Sequence, residues 1–313
     1  MAEIILCAMA AMVGAGFASG REIMRFFSRY GAFSWVLVGF AAGVTVFMIR
    51  RMLSLEENDS RAGRIMLSLF YVTLGGSMTA AAGELWALTV PVPYARTLGS
   101  AVTLCGCLIV ADGPLKRLAW FGRALIPLLL AVMVLCLRLP GTEGERKSVS
   151  WQEGTLALLS AAGYCGLNGM TAAGVLRGSW SCRDRNRIAL MIGLVTAMLL
   201  ALGNAALLPH ARQLRDAPLP TVMLLRNYGK AGYDLSAAAL YLAASTTLIA
   251  VLRGLTAFSV PYLARYGKTV IGLAVMAVSL LGFGGIVGTA YPALGWVYLI
   301  LLFRPERRRF RRY

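Results

Sequence analysis

Long apolar stretches, each wide enough to cross a bilayer and separated by short charged turns, recur along this 313-residue chain. A spanning helix needs roughly 20 predominantly apolar residues. In hydrocarbon, only helices and closed barrels satisfy their own backbone hydrogen bonds. The stretches near 3–29, 33–49, 65–89, 95–111, 124–139, 153–177, 187–208, 233–253, 269–285 and 287–303 therefore predict an all-α polytopic membrane protein of about ten transmembrane helices. Apolar residues make up 58% of the chain and charged residues 14%, a balance that excludes a soluble domain. Glu3 stands where a cleavable leader would carry basic residues, so the first span itself is expected to direct insertion.

That first span is interrupted. Gly14, Gly16 and Gly20 fall between two apolar half-spans, and each glycine in a helix interior costs about 1 kcal/mol relative to alanine. Three so close together predict an unwound stretch. Ser19, followed three residues later by Glu22, has the spacing of a capping box, in which hydroxyl and carboxylate satisfy orphan amides at a helix start. The spacing predicts a new helix near Gly20, with Glu22 used as its cap. A later span carries a similar signal in Gly163, Gly166 and Gly169, with Asn168 placed to cap a restarted helix that runs to Leu176. Unpaired backbone at membrane depth survives only where protein or a wet cavity satisfies it, so two such interruptions predict a central solute chamber. Glycine also serves close helix contacts, the reading given to Gly75, Gly76 and Gly83, which are expected to lie against the broken helices.

A charged connection at 140–152 divides the chain into 1–139 and 153–303, five spans each, and a basic tail follows at 304–313. Halves with an odd number of spans enter the membrane from opposite sides, the arrangement of inverted repeats. An even total puts both termini on one face, where 20 of the 31 Lys and Arg residues fall. Excess Lys and Arg marks the cytoplasmic side, so both ends are expected in the cytoplasm and 140–152 outside. The net charge of +17 suits anionic lipid headgroups. Directly after a span, the arginine-rich tail predicts lipid contact and no nucleic-acid binding.

Chemistry-bearing residues are few. The six cysteines imply no disulfide framework, and a single histidine, His210, in an outer loop leaves no His-based metal centre or triad. No phosphate-binding GxxxxGK[ST] loop is present, and no enzymatic activity is expected. Between 209 and 232, residues after Pro218 and Pro220 predict a short outer helix stopped at Gly229, either a lid or a plain connector, and 254–267 predicts an interfacial linker.

The start of a half-helix offers unpaired N–H groups and about half a positive charge, which makes Ser19 and Gly20 candidates for holding a solute carboxylate. Gly14, Ala15 and Gly16 let the backbone approach a solute that Phe17 covers. Gly163, Tyr164, Gly166 and Asn168 would offer carbonyls and an amide to its ammonium group. Glu84 is the one acidic residue well inside a span apart from Glu22. It is a candidate for a coupling proton or an ammonium contact, or for reaching headgroups from the end of its span. Ser245, Thr246 and Thr247 place three hydroxyls in an otherwise apolar span, where such groups also bond back to their own helix.

Residues 13–23, followed by Phe26, Phe27, Tyr30 and Gly31, resemble the first span of the YkvI-like bacterial membrane proteins, and the similarity continues through 74–84 and 164–174. That family is similar to members of the amino acid/polyamine/organocation superfamily, which share a LeuT-type fold of five plus five inverted helices with helices 1 and 6 discontinuous. The resemblance implies alternating-access transport of an amino acid or similar small zwitterion in the bacterial cytoplasmic membrane, driven by Na+ or H+, with no other cofactor. It also implies a sodium position between adjacent hydroxyls of the eighth span, Thr246 with Thr247 or with Ser245, and carbonyls of the first interruption such as Gly14 and Phe17. The first interruption has no asparagine, unlike better-known sodium symporters. A solute sensor that binds without transporting is the alternative on the same fold.

Overall fold

A computed structural model describes residues 2–54, 61–141, 149–176, 185–217, 219–263 and 267–302. Cys182, the basic tail and most of the 140–152 connection lie outside the described residues. All regular structure among the described residues is helical, and helices overlie each stretch expected to span.

The first stretch comes in three pieces, α1 (Ala2–Met12), α2 (Ala15–Ala18) and α3 (Arg21–Phe26), and a 3-10 turn, Ser28–Phe33, leads into α4 (Ser34–Ser54). Then come α5 (Arg61–Thr89), α6 (Ala95–Ala111), α7 (Leu115–Leu137), α8 (Trp151–Leu176) and α9 (Arg185–Leu207). Two short helices, α10 (Ala211–Leu214) and α11 (Pro220–Leu225), precede α12 (Gly229–Leu263), α13 (Gly267–Ser279) and α14 (Phe283–Leu302). Among the described residues, five helical stretches are long and apolar enough to cross a bilayer.

The interrupted segment is the centre of the bundle. Every residue from Cys7 to Gly20 is buried, and α1 packs against α7, α8, α9 and α12. Around it α4 pairs with α9, α5 with α12 and α8 with α14. The outward faces carry exposed apolar side chains such as Ile109, Trp120 and Leu273, as a lipid-facing surface requires. Where the chain leaves α3, a buried polar knot fixes its course. Ser28 Oγ donates to Asn204 Oδ1 and Asn204 Nδ2 donates to Ser34 Oγ, both at 2.9 Å, tying the 3-10 turn to α9. In so apolar a setting an unmatched amide would be costly, so the knot holds the turn in one place.

Four expectations are corrected here. α8 runs unbroken from Trp151 to Leu176, so the second interruption is absent. Its glycines are contact surfaces: a Cβ on Gly166 would overlap the Gly295 carbonyl of α14, one on Gly295 would overlap the Gly163 carbonyl, and one on Gly169 would strike Met48 of α4. Close crossing of helix backbones explains them without any unwinding. Asn168 caps nothing; it sits mid-helix and its Nδ2 donates to Tyr164 O at 3.1 Å. Gly75, Gly76 and Gly83 do pack closely, but against α12, α13 and α6 and not against the interrupted helix. The stretch expected to be an interfacial linker after 253 instead continues α12 to Leu263.

Candidate functional site

The chain leaves α1 at Val13 and Gly14, where Gly14 is extended (φ −88°, ψ −175°) and its N–H donates to Met12 O at 3.1 Å. One turn later Ser19 and Gly20 separate α2 from α3. Gly20 has φ +77°, a left-handed conformation that costs other L-residues about 1–2 kcal/mol. Gly20, not Ser19, is the N-cap of α3, and no side chain bonds that cap. The predicted capping box is therefore not formed. Ser19 keeps helical dihedrals (φ −72°, ψ −12°) as the end of α2, whereas a capping residue needs extended ones. Its hydroxyl turns back, donating to Gly16 O at 3.1 Å and accepting from Arg21 N–H at 3.4 Å.

Two helices close on the first gap. A Cβ on Gly14 would lie 3.4 Å from both Met78 Sδ of α5 and Thr247 Oγ1 of α12. Ala15 N–H points at Met78 Sδ at 3.5 Å, a weak acceptor for an amide with no partner in its own helix. Thr247 Oγ1 donates to Ala11 O at 3.1 Å and lies 3.5 Å from Ala10 O. The second gap is closed by α11. Thr221 N–H donates to Ser19 O at 3.0 Å and its hydroxyl to Ala18 O at 2.9 Å. The carbonyls freed at the end of α2 are thus taken by a helix about two hundred positions away, and the short helix predicted after Pro220 docks directly on the interruption. Thr221 was not a predicted site residue. Its only local signal is a hydroxyl at the start of a short helix.

Gly14, Ala15, Gly16, Phe17, Ser19 and Gly20 come together as predicted at the interruption, all buried. Of the four candidates on α8, Tyr164 adjoins the segment that follows: its ring centroid lies 5.2 Å from Phe26 and 5.3 Å from Phe27. Gly163 and Gly166 face α14, and Asn168 bonds within its helix. Of the three hydroxyls on α12, Thr247 reaches the gap. Thr246 donates to Ala243 O at 3.0 Å, and Ser245 is half-buried beside Cys107, whose Sγ approaches Ser245 O at 3.8 Å. Glu84 lies six residues along α5 from Met78 and pairs with Arg96 at 2.5 Å, both side chains partly exposed. At about 1.5 Å of rise per residue, that is roughly 9 Å beyond the gap.

Glu22 is the residue that the sequence misassigned. It is 3% exposed, and a Cβ on Gly16 would overlap its carboxylate. Among the described residues Glu22 makes no ion pair and no hydrogen bond. The carboxyl group expected to cap α3 lies instead against Gly16, inside the interruption.

Beside α3, a polar cavity of about 270 Å³ is lined by Arg21, Arg25 and Arg29 of the first segment and by Arg215 and Asp216. An apolar groove of about 790 Å³ between α4, α8 and α14, lined by Phe40, Phe47 and Trp296 among others, lies away from the interruption, and its partly exposed aromatic walls suit lipid. His210, expected in an outer loop, is buried in a 3-10 turn.

No family model matches the chain. Over 318 residues it is 23% identical to the uncharacterized membrane protein YkvI of Bacillus subtilis (strain 168), a match covering 93% of this chain and 91% of that one. Two solved structures of mutant manganese transporters from Eremococcus coleocola align with TM-scores of 0.51 at 11% and 12% identity, each covering 96% of this chain and 76% of theirs. The chain is an all-helical membrane protein with a LeuT-like transporter fold, and its likeness is to membrane proteins and not to enzymes.

Proposed function

We propose that this protein is a secondary active transporter, working by alternating access, for an amino acid or a similar small organic solute, and that it belongs to the amino acid/polyamine/organocation superfamily. The observation that carries the reading is the interruption of the first helix in the middle of the bundle, with Gly14 to Gly20 buried, their backbone held by Met78 and Thr221, and Thr247 holding the α1 carbonyls that precede them. Non-helical backbone at that depth survives where protein or a wet cavity satisfies it, and in transporters such broken helices form the solute site. The pairing of α4 with α9 and of α5 with α12 supports five-plus-five inverted repeats, with both termini in the cytoplasm. The arginine-lined cavity beside α3 favours a solute carrying an anionic group as well, because four guanidinium groups against one carboxylate raise the local concentration of anions.

A coupling cation belongs beside Thr247. Sodium takes oxygen ligands, and the Thr247 hydroxyl with the Ala10 and Ala11 carbonyls supplies them at the first gap. Thr246 comes next on the same helix. Gly14 O and Phe17 O, the carbonyls expected from sequence, accept amide bonds from Ala18 and Gly20 and are less available. An organic solute suits the site better than a divalent metal, since among the described residues no three His, Cys, Asp or Glu side chains gather. Uptake of amino acids into proteoliposomes, with and without sodium or pH gradients, tests the assignment. Accumulation that requires one of the gradients is expected. No gradient-dependent flux for any amino acid would overturn it.

A further inference from the structure

We propose that Glu22 is the site's receptor for a cationic group, and that the solute is held at the interruption through an ammonium. The inference rests on the transporter reading only in calling the ligand a solute; the binding site itself stands on geometry. Glu22 is almost wholly buried at membrane depth with neither an ion pair nor a hydrogen bond among the described residues. An isolated carboxylate there is expensive to keep and is found where a partner or a cavity meets it. The absence of a side chain on Gly16 is what makes room for it, because any Cβ at that position would occupy the carboxylate's place. A glycine that admits a charge to a buried gap is difficult to explain by helix packing alone.

The surroundings specify the ligand class. Phe26, Phe27 and Tyr164 pack together on the segment that follows Glu22, with the two phenyl centroids 5.2 and 5.3 Å from the Tyr164 ring. A lone buried carboxylate suits a primary ammonium, which gains a charge-assisted hydrogen bond to it. A hard divalent cation asks for several oxygen ligands, carboxylates above all, and no group of three His, Cys, Asp or Glu side chains forms among the described residues. A solute carboxylate would be repelled, so the polarity expected from the sequence, with an anionic group at the start of α3, is reversed. The anionic end of a zwitterion belongs on the side of the arginine-lined cavity.

The test is thermal unfolding of the purified full-length protein with each common amino acid, its amide, its N-acetyl derivative and simple aliphatic primary amines. Amino acids or amines with a free ammonium are expected to stabilise the protein, and their N-acetyl counterparts are not. Glu22→Gln, which keeps the side chain's volume, is expected to weaken that binding at least about tenfold. Gly16→Ala, which pushes the carboxylate aside, should do the same. Both variants are first checked for an unchanged elution profile and a cooperative melt. Three results would overturn the proposal: N-acetyl derivatives binding as tightly as their parents, Glu22→Gln binding unchanged, or no ammonium compound binding at all. Loss of pH-gradient dependence in Glu22→Gln with ammonium binding intact would also overturn it, in favour of a proton carrier. Glu22-dependent binding without flux in proteoliposomes would leave this site standing while the transporter assignment fell. Flux indifferent to both N-acetylation and Glu22→Gln would do the reverse.

Discussion

The first segment and α8 carry nearly the same warning in their sequences, three glycines within seven residues, yet one is broken twice and the other is a continuous helix of 26 residues. The difference lies in what each glycine faces. Gly166 and Gly163 meet Gly295, backbone against backbone, so their missing side chains let α8 and α14 touch. Gly20 needs a left-handed conformation, Gly14 is extended, and Gly16 makes room for a carboxylate. Glycine in a membrane helix therefore has no single meaning: it marks a contact when another backbone fills its space and a functional gap when a charge or a turn does.

The largest effect should come from filling the contact. Gly166→Ala or Gly295→Ala puts a methyl group into a carbonyl of the facing helix, and neither rigid backbone can move aside. The destabilisation should reach or exceed the upper end of the roughly 1–3 kcal/mol typical of overpacking. Thermal unfolding in nanodiscs measures it, and an unchanged melting temperature would mean that the two helices do not cross as closely as described. Next is Gly20→Ala. The left-handed dihedral costs about 1–2 kcal/mol, and the new Cβ would lie 2.8 Å from Leu207 Cδ1, the end of a side chain that can shift. Uptake should suffer more than stability here, whereas Gly166→Ala should lower both together.

Thr221→Val removes the hydroxyl bond to Ala18 O while leaving the amide bond to Ser19 O in place. A loss of about 1 kcal/mol is expected, together with faster reaction of a cysteine placed at Ser19 with a polar thiol reagent, since α11 would lift from the gap more often. Equal labelling rates would show that α11 is a connector with no gating role. The smallest effect belongs to Gly39→Ala on α4. A Cβ there meets nothing within 4 Å, so the variant should be stabilised by about 0.4–1 kcal/mol through the helix alone. A loss of stability there would break the rule that surroundings decide what a glycine is for.

Most of the architecture was readable because the bilayer enforces it: about 20 apolar residues per crossing leave few alternatives, and α5, α6 and α9 begin and end close to the expected bounds, whereas α7 starts nine residues before the expected 124. The first interruption was readable too, from Gly14, Gly16 and Gly20. Its details were not. The choice between Ser19 and Gly20 as the cap turns on the dihedral angles of Ser19, which local spacing does not set. Glu22 matched a capping pattern by spacing alone, and its true position depends on the room that Gly16 leaves. Gly163 and Gly166 were misread because the residue that explains them, Gly295, lies on the last helix. Thr221 went unnoticed for the same reason, since its partners are the carbonyls of Ala18 and Ser19.

Backbone amide hydrogen exchange in nanodiscs tests the contrast most directly, by comparing peptides that cover 14–23 with peptides that cover 160–170. The amides of Gly16, Phe17, Glu22 and Ile23 sit in the first turns of α2 and α3 and have no acceptor within their own helices, while those of α8 are inside a continuous helix. Exchange should be faster by roughly two orders of magnitude in the first region, and slowed when solute binds. Equal, strong protection in both regions would contradict that expectation, because the first helix would then have no gap in which to hold anything.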